Sequence, residues 1–290
     1  MKLSKQKAYL GLFAVLLVAT GVAVAGSQGG VKALGVPLFA LCAVWIFVIQ
    51  WLVFIPSFLR QTEKFYDLTG SLTYISVIFM AVLLSGNTDS RSILLLILVV
   101  IWSGRLGSFL FMRIRKAGKD GRFDELKTSF IRFLTAWSTQ GLWVLFTASA
   151  ALAAITTTSR KPLGIIEVIG LLIWVFGFTF EVVADAQKNR FRAIPGNKGK
   201  FIKIGLWSRS RHPNYFGEIV LWIGVAVIAI PVLRGWQWIT MISPVFVTVL
   251  LTQISGVPLL EKRADEKWGG QDDYETYKAH TPVLIPRLPS

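Results

Sequence analysis

Long apolar stretches alternate with short polar ones along most of the chain. Eight apolar stretches have about 20 mostly apolar residues, the length an α-helix needs to cross a bilayer. They cover residues 8–26, 36–59, 67–85, 91–110, 133–156, 162–184, 217–233 and 236–256. Each is continuously apolar and does not alternate, which favours helices over the strands of a membrane barrel. The pattern predicts an all-α, polytopic membrane helix bundle with about seven to eight transmembrane helices.

Basic residues concentrate on one side of the predicted membrane. The 290 residues are 53% apolar and carry a net charge of +15. With the N-terminus inside, most of the 31 Lys and Arg residues fall in the inner segments. This asymmetry follows the positive-inside rule and predicts cytoplasmic N- and C-termini. Because topology accounts for the charge, we expect no nucleic-acid partner.

The N-terminal 25 residues allow two interpretations. A basic start, an apolar run and the triplet Ala23-Val24-Ala25 are typical of a cleavable signal peptide. A first transmembrane helix is equally apolar and fits the charge distribution. We favour the uncleaved helix.

Three polar side chains interrupt the early apolar stretches. Gln50 and Tyr74 lie in the second and third stretches, where each either is a satisfied interior group or lines a cavity. Arg105 lies in the fourth stretch, near its inner end. Burial of a lone arginine is costly, so Arg105 either reaches the interface or has a partner in a site.

Charged residues extend the sixth apolar stretch. If that helix continues, Glu181, Asp185, Lys188 and Arg192 recur at spacings of four, three and four and share one face. Surface ion pairs would explain them. Acids followed by bases could also bind ribose hydroxyls and phosphates, respectively.

A second polar cluster precedes the seventh stretch. Pro213 excludes His212 from a helix and suits a first helical position, so a helix should begin near Asn214. Arg211 and His212 would then lie beside a helix N-terminus, which attracts anions. Glu218 shares a face with Asn214 inside the membrane segment, where a carboxylate indicates a functional site.

The sequence contains few metal-binding side chains. Cys42 is the only cysteine, and His212 and His280 are far apart in the chain. A metal site is therefore not predicted.

Three segments in order carry a family resemblance. They read FEVVADAQK, GLWSRSRHPNYFGEIVLWIG and LLEKRADEKWGGQDDYETYKAHTPVLIP. Together they resemble the C-terminal domain of the steroid 5-alpha-reductase family, most closely a bacterial branch, over roughly residues 163–288. The resemblance implies a multi-pass protein of the bacterial inner membrane. Residues 133–290 would hold a cofactor site facing the cytoplasm, and residues 1–132 would form a lipid-substrate cavity.

The resemblance also implies NADPH as the cofactor. Asp185 and Arg192 fall on the family's ribose and phosphate positions, and Asn214 and Glu218 on the helix that holds the nicotinamide end. His212 and Tyr215 fit the RHPNY form, and Tyr277 matches the tyrosine before the final LIP. The predicted cofactor-binding residues are Arg105, Glu181, Asp185, Lys188, Arg192, Arg211, His212, Asn214, Tyr215, Glu218 and Tyr277.

The substrate side departs from the family pattern. Steroid reductases use a glutamate and a tyrosine from early helices to polarise a ketone. This chain has Tyr74 but no glutamate in its second to fourth apolar stretches, where Gln50 is the comparable group. We therefore predict Tyr74, Gln50 and Glu218 as catalytic residues. They would act in hydride transfer to a C=C bond of a lipophilic, steroid-like or isoprenoid molecule that enters from membrane lipid.

Another family shares the RHPxY segment and a closing tail from tyrosine to proline. These are the isoprenylcysteine carboxyl methyltransferases, which bind S-adenosylmethionine, so a lipid methyltransferase is the alternative. The face formed by Asp185, Lys188 and Arg192 favours a dinucleotide, because a methyl donor has no phosphate. A transporter fits less well, since the chain shows no internal repeat.

Overall fold

The computed structural model describes residues 5–86 and 88–287, which are mostly helical. The α-helices are α1 (Lys5–Gly26), α2 (Leu38–Leu59), α3 (Tyr66–Leu84), α4 (Ser90–Ala117), α5 (Phe130–Thr156), α6 (Ile165–Ala193), α7 (Pro213–Ala229), α8 (Ile242–Val249), α9 (Val257–Trp268) and α10 (Asp272–His280). Two short strands, β1 (Lys32–Ala33) and β2 (Val36–Pro37), form an antiparallel pair. The prediction of an all-α fold is confirmed.

Eight helical segments in the described residues are long and apolar enough to cross a membrane. They are Lys5–Gly26, Leu38–Leu59, Tyr66–Leu84, Ser90–Met112, Phe130–Thr156, Ile165–Ala193, Pro213–Val232 and Gly235–Trp268. They match the eight predicted stretches. The last is longer than predicted because a 3-10 turn, α8, a π-helical turn at Leu250–Ile254 and α9 follow one another closely.

The chain forms two compact units. The first unit comprises Met1–Gly164 and Ile228–Ser243, and the second comprises Ile165–Val227 and Pro244–Ser290.

Helix α5 is the central helix of the first unit. It packs against α1, α2 and α3. Its last two turns are rich in small residues, and Ala148 and the segment 150–154 are buried. Small side chains let neighbouring helices approach closely, which is how helices gain packing energy in lipid.

A polar network attaches the loop after α4 to the connection between α2 and α3. Buried Glu63 accepts hydrogen bonds from Lys127 Nζ at 2.8 Å and from the backbone N–H of Asp120 at 2.8 Å. Burial raises the pKa of Glu63, but these bonds outweigh it and lower the pKa overall. The loop is held by a charged carboxylate that burial would otherwise penalise.

In the second unit, glycines allow α6 and α7 to pack closely as an antiparallel pair. A Cβ on Gly217 would lie 2.6 Å from the carbonyl oxygen of Gly177, and one on Gly224 would lie 2.6 Å from that of Gly170. The two glycines are seven residues apart on both helices, so they recur on one face of each. Only residues without a side chain permit this approach.

Two local predictions in the second unit are confirmed. Helix α7 begins at Pro213, next to the predicted start near Asn214. Helix α6 continues to Ala193, so the helical spacing of its charged residues holds.

Candidate functional site

The second unit contains a pocket of about 360 Å³ lined by basic and aromatic side chains, here called the basic pocket. It lies among the end of α6, the loop that follows, α9 and α10. Six of its lining residues are Lys or Arg: Lys188, Arg192, Lys200, Arg211, Arg263 and Lys267. Among the described lining residues, Glu261 is the one carboxylate. The surplus of cations indicates an anionic ligand.

Glu261 links two of the predicted site residues. Its Oε1 accepts a hydrogen bond from His212 Nε2 at 2.7 Å, and its Oε2 lies 3.1 Å from Arg211 Nη1. The side chains of Arg211 and His212 are only 12% and 6% exposed. Burial of the Arg211 guanidinium is tolerated because the Glu261 carboxylate carries the opposite charge.

Three buried polar atoms beside Glu261 make no hydrogen bond within the described ranges: Arg211 Nε, Arg211 Nη1 and His212 Nδ1. Arg211 Nη1 is ion-paired with Glu261. A buried donor such as Arg211 Nε costs about 1–3 kcal/mol when it has no partner. These atoms belong to side chains that line the basic pocket, so a ligand could satisfy them.

The backbone around Arg211 is held by the end of the chain. The N–H groups of Arg211 and His212 donate to the carbonyls of Pro282 and Val283 at 2.9 and 3.1 Å. Ser210 Oγ donates to the carbonyl of Leu284 at 2.8 Å. These bonds fix the polar segment just before α7.

Aromatic rings form another wall of the pocket. The ring of Phe201 lies 5.8 Å from that of Trp268, 5.4 Å from that of Tyr274 and 5.3 Å from that of Tyr277. Tyr277 Oη donates to the carbonyl of Trp207 at 2.7 Å. Burial raises the pKa of Tyr277, so its hydroxyl remains a donor at neutral pH.

Trp207 connects this wall to helix α6. Its indole Nε1 donates to the carbonyl of Ala184 at 2.9 Å, and Lys188 Nζ lies 4.3 Å from the centroid of its ring. The second contact is a cation–π interaction, which holds the ammonium at the pocket wall.

Five predicted site residues line the basic pocket: Lys188, Arg192, Arg211, His212 and Tyr277. Five others lie in the second unit outside its lining: Glu181, Asp185, Asn214, Tyr215 and Glu218. Glu181 is buried where α6 meets Gly217 of α7. The ring of Tyr215 stacks on that of His212, with centroids 5.6 Å apart.

The remaining predicted residues, Gln50, Tyr74 and Arg105, lie in the first unit. Gln50 is completely buried, and its Nε2 donates to Thr73 Oγ1 at 3.1 Å. Its Oε1 has no partner in the part of the chain that the structure describes, so the amide presents an acceptor. Tyr74 is half-buried and packs edge-on against Trp102, with ring centroids 5.2 Å apart.

Several pocket residues were not predicted. Besides Glu261, they include Lys200, Phe201, Trp207, Arg263, Lys267, Trp268 and Tyr274. A sequence signal was present for part of this set, because Glu261, Ala264 and Trp268 recur at spacings of three and four and therefore share a helix face.

An apolar groove in the first unit has a volume of about 610 Å³. Helices α1 and α2 supply most of its lining, including Leu16, Val44 and Phe47. Its composition suits a lipophilic molecule. That it serves as a substrate cavity stays a prediction.

No group of three His, Cys, Asp or Glu side chains that could hold a metal ion occurs in the described residues.

Comparison with known proteins assigns the chain to a family. The family described as "Protein of unknown function (DUF1295)" matches residues 51–281. The match covers most of the chain, which belongs to this family. Neither the curated proteins nor the solved structures contain a significant match.

Proposed function

We propose that this member of the DUF1295 family is a membrane-embedded, NADPH-dependent reductase. It would transfer hydride to a C=C bond of a lipophilic, steroid-like or isoprenoid molecule. NADPH supplies the hydride when it is bound. The basic pocket is the observation that carries the proposal.

The charge of the pocket supports a ligand with several phosphates. Six Lys and Arg side chains face one carboxylate in the described lining. A phosphate monoester alone carries about −1.5 to −2 charges at neutral pH, and NADPH adds a pyrophosphate. Arginine and lysine bind such groups through charge-assisted hydrogen bonds. Arg211 Nε, buried and without a partner in the described residues, fits the same chemistry.

The aromatic wall supports a nucleotide. Phe201, Trp268, Tyr274 and Tyr277 offer ring surface close to the cations. Base–aromatic stacking contributes about 1–3 kcal/mol per base in nucleic-acid sites. The volume of about 360 Å³ is at the lower end of the range for small-molecule sites. We therefore assign the pocket to part of the dinucleotide, including its phosphates.

The alternative methyl donor fits this pocket poorly. S-adenosylmethionine has no phosphate, and its sulfonium is itself a cation. Like charges placed about 4 Å apart repel by about 4 kcal/mol at an effective dielectric constant of 20. Six cations around such a ligand would weaken its binding.

The substrate assignment rests on the family resemblance and on the first unit. Tyr74 would polarise an oxygen conjugated to the C=C bond, because a hydroxyl donor stabilises charge that develops during hydride addition. Gln50 Oε1 is an acceptor without a partner in the described residues, and it would bind a substrate hydroxyl after movement of the surrounding side chains, because Gln50 is completely buried and does not line the apolar groove. Tyr74 would thus bind a carbonyl group of the substrate, and Gln50 would bind a hydroxyl group.

Ligand titration of the purified full chain in detergent tests the proposal. We expect saturable NADPH binding, detected by energy transfer from tryptophan to the reduced nicotinamide, and weaker NADH binding. The Arg263→Gln/Lys267→Gln variant removes two exposed cations of the basic pocket. We expect it to weaken NADPH binding at least tenfold, because both charges face the phosphates.

A matched variant controls for overall charge. Arg209→Gln/Lys262→Gln removes two exposed cations of the same unit that do not line the pocket. It should bind NADPH like the wild type. Binding of S-adenosylmethionine without NADPH binding would identify a methyltransferase and refute the reductase proposal.

A further inference from the structure

We propose that a second cavity, in the first unit, binds an anionic phospholipid. This cavity has a volume of about 330 Å³ and lies between α1, α5 and the loop after α4. It is called the lipid site below. The proposal does not depend on the reductase assignment, because the basic pocket belongs to the other unit.

The lining of the lipid site changes from charged to apolar along two helices. On α5 it includes Arg132, Thr135, Ala136, Thr139 and Trp143, whose spacings of three, one, three and four define one helix face. From the first to the last of these residues, α5 rises about 16 Å. The site is an elongated groove with a cationic end and an apolar end.

Helix α1 repeats this polarity. Lys7 lies at the charged end, and Ala8 and Gly11 follow on the same face. A Cβ on Gly11 would meet Thr135 Cγ2 at 3.6 Å, an ordinary contact. Gly11 itself contributes no side chain to the lining, so a larger residue at this position would narrow the groove beside Thr135.

The charges at the polar end favour a phosphate headgroup. Lys7, Arg122 and Arg132 line this end. Two carboxylates interact with Arg122. Asp120 accepts a hydrogen bond from Arg122 Nε at 2.9 Å, and Asp67 attracts the guanidinium electrostatically. Lys7 and Arg132 also make contacts within the chain, which restrain their side chains at the site. Three cations against two carboxylates leave a positive end.

The predicted membrane side of the charged end also agrees with an anionic lipid. The charged end lies where α1 and α5 begin, at Lys5 and Phe130. Both helix starts are on the predicted cytoplasmic side, and the cytoplasmic leaflet is the one that carries anionic lipids. Basic pockets between transmembrane helices on that side bind acidic headgroups. The elongated groove, its positive end and its position on the predicted cytoplasmic side therefore all fit one kind of molecule, a lipid with an acidic headgroup and an acyl chain.

Native mass spectrometry of the delipidated full chain can test this. Phosphatidylglycerol, phosphatidylcholine with the same acyl chains, and inorganic phosphate are titrated separately. We expect phosphatidylglycerol to bind most tightly. In Lys7→Gln/Arg132→Gln its affinity should fall about 25-fold, since each basic residue near the surface contributes about a fivefold factor. Binding of phosphatidylcholine should not change.

Two further variants separate the contribution of the lipid headgroup from that of its acyl chain. Arg60→Gln/Lys64→Gln removes two exposed cations of the same predicted side that do not line the site, and should leave phosphatidylglycerol binding unchanged. Gly11→Leu fills the apolar part of the groove and should weaken phosphatidylglycerol binding at least tenfold. If Gly11→Leu does not fold, the wild-type ratio of phosphatidylglycerol to phosphate affinity measures the contribution of the chain.

The proposal is overturned by any of three results. Phosphatidylglycerol and phosphatidylcholine could bind equally, which would exclude headgroup recognition. The Lys7→Gln/Arg132→Gln variant could bind like the wild type, which would place the lipid elsewhere. Inorganic phosphate could bind as tightly as phosphatidylglycerol, which would identify a site for soluble phosphate.

Discussion

Replacement of Gly217 by alanine tests how closely α6 and α7 approach. The added Cβ would lie 2.6 Å from both the amide nitrogen of Glu181 and the carbonyl oxygen of Gly177. An ordinary contact requires at least 3.4 Å, so the helices would have to separate by about 0.8 Å. Both obstacles are backbone atoms, which cannot rotate away as a side chain can.

The expected cost follows from two opposing effects. Overpacking of a tight contact typically costs about 1–3 kcal/mol. Replacement of glycine by alanine within a helix returns up to about 1 kcal/mol. We expect a net loss of about 1–2 kcal/mol, with helix separation as the dominant effect.

Thermal unfolding in detergent, followed by tryptophan fluorescence, measures the effect. Gly217→Ala should lower the apparent melting temperature by several degrees. Gly21→Ala in α1 is the matched control, because its added Cβ would meet no described heavy atom within 4 Å apart from the adjacent residues and backbone of its own helix. It should melt at or slightly above the wild-type temperature. If Gly217→Ala behaves like this control, the close contact between α6 and α7 does not exist.

Three further changes probe the loop network, the basic pocket and the proposed chemistry. The pKa of Glu63 is lowered in the folded protein, so its contribution to stability is complete above its ordinary value of 4.5 and is lost as the pH falls through the lowered folded value. Acid titration of the melting temperature should show this loss in the wild type and a smaller one in Glu63→Gln, where Asp124 is the remaining carboxylate partner of Lys127 at 3.3 Å. Tyr277→Phe removes the 2.7 Å hydrogen bond to the carbonyl of Trp207 and should destabilise the protein by about 1 kcal/mol. An unchanged denaturation midpoint would contradict that role. Tyr74→Phe should slow oxidation of bound NADPH about 100-fold in single turnovers with unchanged NADPH affinity; full activity would remove Tyr74 from the proposed mechanism.

The sequence alone was sufficient for the membrane helices and for the faces of individual helices. A span depends on the length of one apolar stretch, and a helix face depends on spacing within one segment, so both are local properties. The start of α7 at Pro213 is local in the same sense, because proline restricts the residue before it and suits the first turn. The same rules gave the shared face of Lys188 and Arg192, both of which line the basic pocket.

The composition of the pocket was decided by tertiary structure. Glu261 meets His212 across 49 residues of chain, and the ring of Phe201 meets those of Tyr274 and Tyr277 across more than 70. No periodicity within one segment encodes such a meeting.

The glycines of α6 and α7 show the same contrast between what local sequence determines and what tertiary structure decides. Their seven-residue spacing in α6 and in α7 is visible in the sequence, but only the packed helices show that Gly177 faces Gly217 and Gly170 faces Gly224. Local sequence determines which surface a helix presents. Which surfaces come together depends on free energies of packing summed over segments far apart in the chain.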